Sequence, residues 1–132
     1  MNRQESALKK LRPSLNLGNF STTKPMEQFQ NEVLRPIIKQ QHEVLKLIWE
    51  NDHYFKLSTT SATTRSNYHL SVMHWLQHNT STRSVLLGCI IGMMTIDELN
   101  QYRENQRELN KRMVSTIAQR ITDSKFGKLT VN

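Results

Sequence analysis

Apolar residues recur every three or four positions from Met26 to Trp49: Met26, Phe29, Val33, Leu34, Ile37, Ile38, Val44, Leu45, Leu47, Ile48 and Trp49. Wound at roughly 100° per residue, they cover an arc of about 200°. This periodicity predicts a long helix over residues 26–54. So wide an arc implies more than one packing neighbour: either a central place in a bundle, or a bundle on one side and a second subunit on the other. Thr23 and Pro25 mark its start, a hydroxyl that can cap free amides followed by a proline that fits the first turn. Pro36 removes the hydrogen bond to the Glu32 carbonyl, which predicts a kink. A full break does not fit, because Leu34 and Arg35 are poor caps for a fresh helix.

The stretch KLSTTSATTRS has little helix preference and reads as a connection. A shorter helix is predicted over 64–78, where Tyr68, Val72, Trp75 and Leu76 share one side. The apolar run within 82–94 suits either a buried helix or a buried strand. Helical neighbours, the lack of a strand partner and the Gly88/Gly92 spacing, which would admit a closely packed helix, favour helix. TIDE, from Thr95 to Glu98, has the spacing of a capping box, so a second long helix is predicted over 95–124, with Gly127 as its stop. The expected fold is all-α, a bundle of about four principal helices. Residues 1–22 form an arm, in which SALKKL can make a helical turn ended by Pro13. Residues 23–124 form one domain and 125–132 a tail.

Five polar residues fall on faces that the pattern would bury. Gln40 and Gln41 lie within the apolar arc of the first helix, so each needs a hydrogen-bond partner from another element. On the last helix, Arg103, Gln106 and Asn110 recur once per turn among Ile96, Leu99, Tyr102, Leu109, Met113 and Val114. If the two long helices pack together, the glutamines can meet this stripe. Such a cluster serves either as a structural network that fixes helix register, or as a ligand-binding pocket in which Arg103 takes a carboxylate or phosphate. His42, by contrast, falls on the charged face.

Composition narrows the chemistry. The chain of 132 residues is near the size of one domain and carries a formal charge of +7, which attracts anionic partners. Its 18 Lys and Arg are spread along the whole length without a basic tract or nucleic-acid motif, so nucleic-acid binding is an alternative with weak support. The run from Val85 to Met94 is too short to cross a bilayer and MNRQESALKKLRP lacks the apolar core of a signal peptide; a cytoplasmic place, with no membrane partner, is expected. Cys89, alone in an apolar run, reads as a buried, inert thiol. His74 and His78 have the i, i+4 spacing of metal ligands, but no third ligand is indicated, so neither a metal nor another cofactor is expected. With four glycines there is no phosphate loop or nucleophile elbow, and no motif supports an enzyme.

Three segments, FQNEVLRPIIKQQ from Phe29, GMMTIDEL from Gly92 and LNKRM from Leu109, are similar to a small uncharacterised all-helical bacterial family whose members are often labelled glyoxalase. The resemblance spans roughly residues 7–121 and implies a helical, stand-alone small protein; the label would imply a metal-dependent lyase acting on a hemithioacetal. The chain carries neither the strands nor the His and Glu spacing of the β-rich glyoxalases, so no catalytic residue transfers. Together the residues point to a small helical binding or interaction protein that forms a homodimer. A small-anion binder or enzyme centred on Arg103 is the alternative from a different class.

Overall fold

The computed structural model of the protein describes residues 5–12 and 24–128, and all regular structure in them is helical. Helix α1 (Glu5–Lys10) precedes a long helical run built from α2 (Pro25–Phe29), a π turn (Gln30–Leu34), α3 (Arg35–Gln40) and α4 (His42–Glu50). Pro25 takes the first position of the run, while Thr23, the expected cap, lies outside the described residues. Pro36 accounts for the π turn. A proline ring crowds the carbonyl four residues back, and one extra residue in the preceding turn makes room for it. Accordingly the Arg35 amide bonds the Gln30 carbonyl, five residues back. A second irregularity lies at Gln41 (φ −89°, ψ 8°). Its amide still reaches the Ile37 carbonyl (2.8 Å) and its carbonyl accepts from the Leu45 amide (3.0 Å), so the run is offset there rather than broken.

Four expected boundaries are corrected. The run ends at Glu50 instead of 54, because Asp52 starts a new helix, α5 (His53–Thr59), by accepting the Phe55 amide at 2.8 Å. The KLSTT expected as a connection therefore lies mostly in α5. Helix α6 (Arg65–His78) begins behind Thr64, whose hydroxyl caps the Asn67 amide, and α7 (Thr80–Ile91) makes the apolar run helical as far as Ile91, with residues 92–94 in a turn rather than in the helix expected to reach 94. The last long helix is two helices, α8 (Ile96–Glu104) and α9 (Gln106–Phe126), separated at Asn105 (φ −133°, ψ 34°). The Thr95–Glu98 capping box is present, and Gly127 (φ +83°) ends α9 in the left-handed region that glycine tolerates. Among the described residues, no helix is long and apolar enough to cross a membrane.

The core follows the apolar periodicity. Leu34, Ile37, Ile38, Leu45, Trp75, Leu86, Met113 and Ile117 are fully or almost fully buried, each such side chain contributing about 1.5–3 kcal/mol. Helix α9 packs most extensively on α6, α5 also packs on α6, and α4 lies beside α7. Aromatic edges link these layers: Phe55 meets Trp75 at 4.9 Å between centroids and Tyr68 at 6.5 Å, and Tyr68 meets Phe126 at 5.4 Å. Among the described residues, no helix makes the close approach expected at Gly88: a Cβ built there would have nothing within 4 Å, and one on Gly92 would meet the Gly88 carbonyl at 3.2 Å. Cys89 is half-buried rather than buried.

Two carboxylates fasten the helices together. Asp52 Oδ1 accepts from the Phe55 amide and from the indole Nε1 of buried Trp75 (2.9 Å), while Oδ2 accepts from the Thr82 hydroxyl (2.8 Å). One side chain thus joins α5, α6 and α7. Glu98, in the capping box of α8, takes both guanidinium nitrogens of Arg12 at 2.7 and 2.5 Å, and Arg12 Nη2 also reaches the Met93 carbonyl at 3.0 Å. The Ile96 amide donates to Glu5 Oε1 (3.0 Å), so the described part of the N-terminal arm is seated on the α7–α8 corner.

Burial pushes both carboxyls upward, but donated hydrogen bonds outweigh it: those of Trp75, Phe55 and Thr82 hold Asp52 below the usual range, and those of Arg12 and Thr95 do so for Glu98. Folded-state values below the unfolded ones mean that this stability is present above the unfolded pKa values, 3.8 for Asp and 4.5 for Glu, and is lost as pH falls through the folded values. Asp52→Ala also leaves the Trp75 indole N–H buried without a partner, a loss on the order of 2–3 kcal/mol. Urea unfolding across pH 2–7 is expected to show this loss at pH 7, and a shallower acid limb for the variant than for the parent chain. Equal stability and equal acid limbs would refute the fastening role of Asp52.

Candidate functional site

The five polar residues singled out by periodicity do not form one cluster. Gln41 donates from Nε2 to the Cys89 carbonyl at 3.1 Å, so it meets α7 and not the last helices. Gln40 is half-buried, with its carbonyl oxygen Oε1 enclosed and, among the described residues, without a hydrogen-bond partner. Arg103 and Gln106 are exposed on either side of the Asn105 break, which removes the continuous stripe assumed for an unbroken helix. Asn110 is half-buried and accepts the Tyr102 hydroxyl at 2.6 Å. The break explains the difference: the α8–α9 offset turns Arg103 and Gln106 to solvent and leaves Asn110 to satisfy a tyrosine.

The arrangement with the clearest chemistry lies instead between the π turn, α3 and the outer face of α9. Gln30, the first residue of the π turn, accepts Arg112 Nη1 at 2.8 Å, and Thr116, whose hydroxyl bonds the Arg112 carbonyl at 2.7 Å, lies beside it. These contacts fix the floor of a groove of about 420 Å³ that also carries Arg35, Gln119, Arg120 and Lys128. Hydroxyls of Ser115, Thr116 and Ser124 line it too. Three cations, hydroxyls and side-chain amides in one concavity are the donors that bind an oxyanion.

Arg120 defines the electrostatics. Its side chain is half-buried, and among the described residues its hydrogen-bond-range neighbour is Nδ1 of His42, 3.4 Å from Nη1. Among the described residues no carboxylate lies within ion-pair distance of it. Asp123, the acid on the groove wall, is held by Arg65 (3.0 Å) and by the Gln119 amide (2.9 Å). Burial lowers the Arg120 pKa, the charge of Asp123 opposes this, and the charge of Arg35 adds to it. Two guanidiniums therefore repel each other in a partly desolvated groove. His42 is lowered as well, first by burial and then by the charge of Arg120, and its ring stacks edge-on against Trp49 at 5.8 Å.

Sequence reasoning missed Arg35 and Arg120 because charges on the outer face of an amphipathic helix read as solvated, and Lys128 because it lies past the Gly127 stop, in the expected tail. The available signal was twofold: Pro36 inside a helical pattern, and Arg112, Thr116, Gln119, Arg120 and Asp123 repeating at steps of three and four. His74 and His78 stack on each other with centroids 4.1 Å apart. Among the described residues, no group of three or more His, Cys, Asp or Glu could hold a metal ion. Compared with known proteins, the chain matches no family model, no curated protein and no solved structure.

The His42–Arg120 contact has a direct readout. Removing the cation in Arg120→Ala is expected to move the His42 pKa upward, toward its ordinary 6.5, because the charge that opposes protonation is gone while burial remains. Proton NMR titration of the imidazole checks this. An unchanged or lower value would show that the two groups do not interact in solution.

Proposed function

We propose that the protein is a small binding module, not an enzyme, whose groove between the π turn and α9 takes a small phosphate-bearing molecule. The observation that supports this reading most is the half-buried guanidinium of Arg120, which shares the groove with Arg35 and, among the described residues, has no carboxylate within ion-pair distance. A guanidinium in this state is costly without a counter-charge, and a tetrahedral phosphate offers an edge of two acceptor oxygens that an arginine fork can take in bidentate fashion. Arg35 and Lys128 would share the charge, and the hydroxyls of Ser115, Thr116 and Ser124 would orient the remaining oxygens. Isothermal titration of the full chain with inorganic phosphate and pyrophosphate is the test. Saturable binding that weakens about tenfold or more in Arg120→Ala is expected, accompanied by a rise in the His42 pKa as the bound anion offsets the nearby charge. Absence of binding at millimolar anion would overturn the reading. Binding only to long oligonucleotides, with affinity falling steeply as salt rises, would replace it with the nucleic-acid alternative.

A second reading, self-association as a homodimer, is favoured by the outward apolar residues of two neighbouring helices. On α4, Val44 is 46% and Leu47 67% exposed, and on α7 beside it Val85 is 54% exposed. The arc of about 200° read from the sequence thus has a remainder that its own bundle does not cover. Sedimentation equilibrium is expected to return twice 15.5 kDa for the parent chain and 15.5 kDa for Leu47→Glu. A monomer at high concentration would dismiss it.

A further inference from the structure

On the opposite flank of α9 lies a second hollow, of about 470 Å³, between α6, α7 and α9. Its character differs from that of the first groove. The floor is apolar, made by Met73 of α6, Leu87 of α7 and Val114 of α9, all half-buried members of the core's rim. Above it stand two cations, Arg83 and Lys111, with no acidic residue in the lining. Arg83 is half-buried, and one of its nitrogens, Nη1, makes a long contact of 3.4 Å to the Leu76 carbonyl; among the described residues neither cation is in an ion pair. Asn110 lies in the same wall. Its carbonyl oxygen is taken by the Tyr102 hydroxyl, which leaves its amide N–H groups as donors toward the hollow.

An apolar floor under two cations and an amide is complementary to a molecule that is apolar along its length and anionic at one end. The volume falls within the range of about 300–1,000 Å³ that small-molecule sites occupy. We propose that this hollow is a binding site for an amphipathic organic carboxylate, with the chain or ring on Met73, Leu87 and Val114 and the head group held by Arg83 and Lys111, assisted by Asn110. The inference is independent of the phosphate groove: the floors differ in chemistry, and the cations belong to different residues. Ser115 alone touches both rims.

Two-dimensional NMR of the full chain titrated with octanoate tests it, with 1-octanol and octylammonium as matched probes that lack the negative head. Saturable shifts are expected at Met73, Leu87 and Val114, with octanoate binding at least tenfold tighter than octanol and octylammonium weaker still. Lys111→Glu changes an exposed side chain and is expected to abolish the preference for octanoate over octanol; Arg83→Ala should act in the same direction, and Leu87→Ser should weaken octanoate and octanol alike. Arg120→Ala, on the other flank, is expected to leave octanoate binding unchanged. The proposal is overturned if octanol binds as tightly as octanoate, if the shifts fall outside the hollow, or if Lys111→Glu retains the preference. Loss of octanoate binding in Arg120→Ala would reassign the anion to the first groove.

Discussion

The architecture depends on one carboxylate. Asp52 lies two residues past the end of α4 and accepts hydrogen bonds from three directions: the first turn of α5, the indole of Trp75 on α6 and the hydroxyl of Thr82 on α7. The apolar period runs on to Tyr54 and Phe55, and the run is turned locally by Asn51, whose side chain donates to the Leu47 carbonyl at 2.7 Å, and by the Asp52 cap. With the turn made, Phe55 swings onto Trp75, and the Trp75 indole, fully buried, finds its required acceptor. Helix restart, aromatic packing and the seating of α7 are therefore one event, held by a group that needs to be ionised. Arg12 and Glu98 fasten the other corner by the same logic, and there the charge is supplied with its counter-charge.

Pro36 sets the second constraint. Because it cannot donate and crowds the preceding turn, the chain inserts a residue as a π turn, and that insertion presents Gln30 to Arg112 and Thr116 on α9. The groove is a consequence of this. An uninterrupted α-helix would shift the register of the residues before Pro36, Gln30 among them, relative to Arg35 after it, and would separate the amide floor from the cation wall. The proline that bends the helix is thereby coupled to the side-chain geometry of the site across from it.

What was legible in the sequence follows from which interactions are local. Helix type, the Thr95–Glu98 capping box and the Gly127 stop all depend on residues within one turn of each other, and all are present. Asp52 as a cap is just as local but was hidden, because the apolar period runs on past it to Tyr54 and Phe55. The break at Asn105 was hidden for a related reason: Tyr102, Leu109 and Met113 keep helical phase across it. The candidate site was the least legible part. Gln41 was correctly marked as needing a partner, but its partner is a backbone carbonyl on α7, which carries no sequence signature. Arg120 looked like any solvated charge, since only tertiary packing of α9 against the π turn desolvates it.

Arg12 and Arg120 show two different fates of a guanidinium in this fold. Both guanidiniums are partly withdrawn from water, but Arg12 is matched in bidentate geometry by Glu98, whereas Arg120 lies beside the His42 imidazole and shares its groove with another arginine. A purely structural arginine in that place would be expected to recruit the nearest acid. Asp123 is near enough to affect it electrostatically, but it is bonded to Arg65 and Gln119, and Arg65 itself lies over Phe126 at 5.9 Å and bonds the Gly127 carbonyl, closing the end of α9. The acid is thus committed to ending the helix. Burial opposes the Arg120 charge, so under the proposed reading an anion in the groove would favour the charged form, and ligand occupancy and fold stability would be linked through the same side chain.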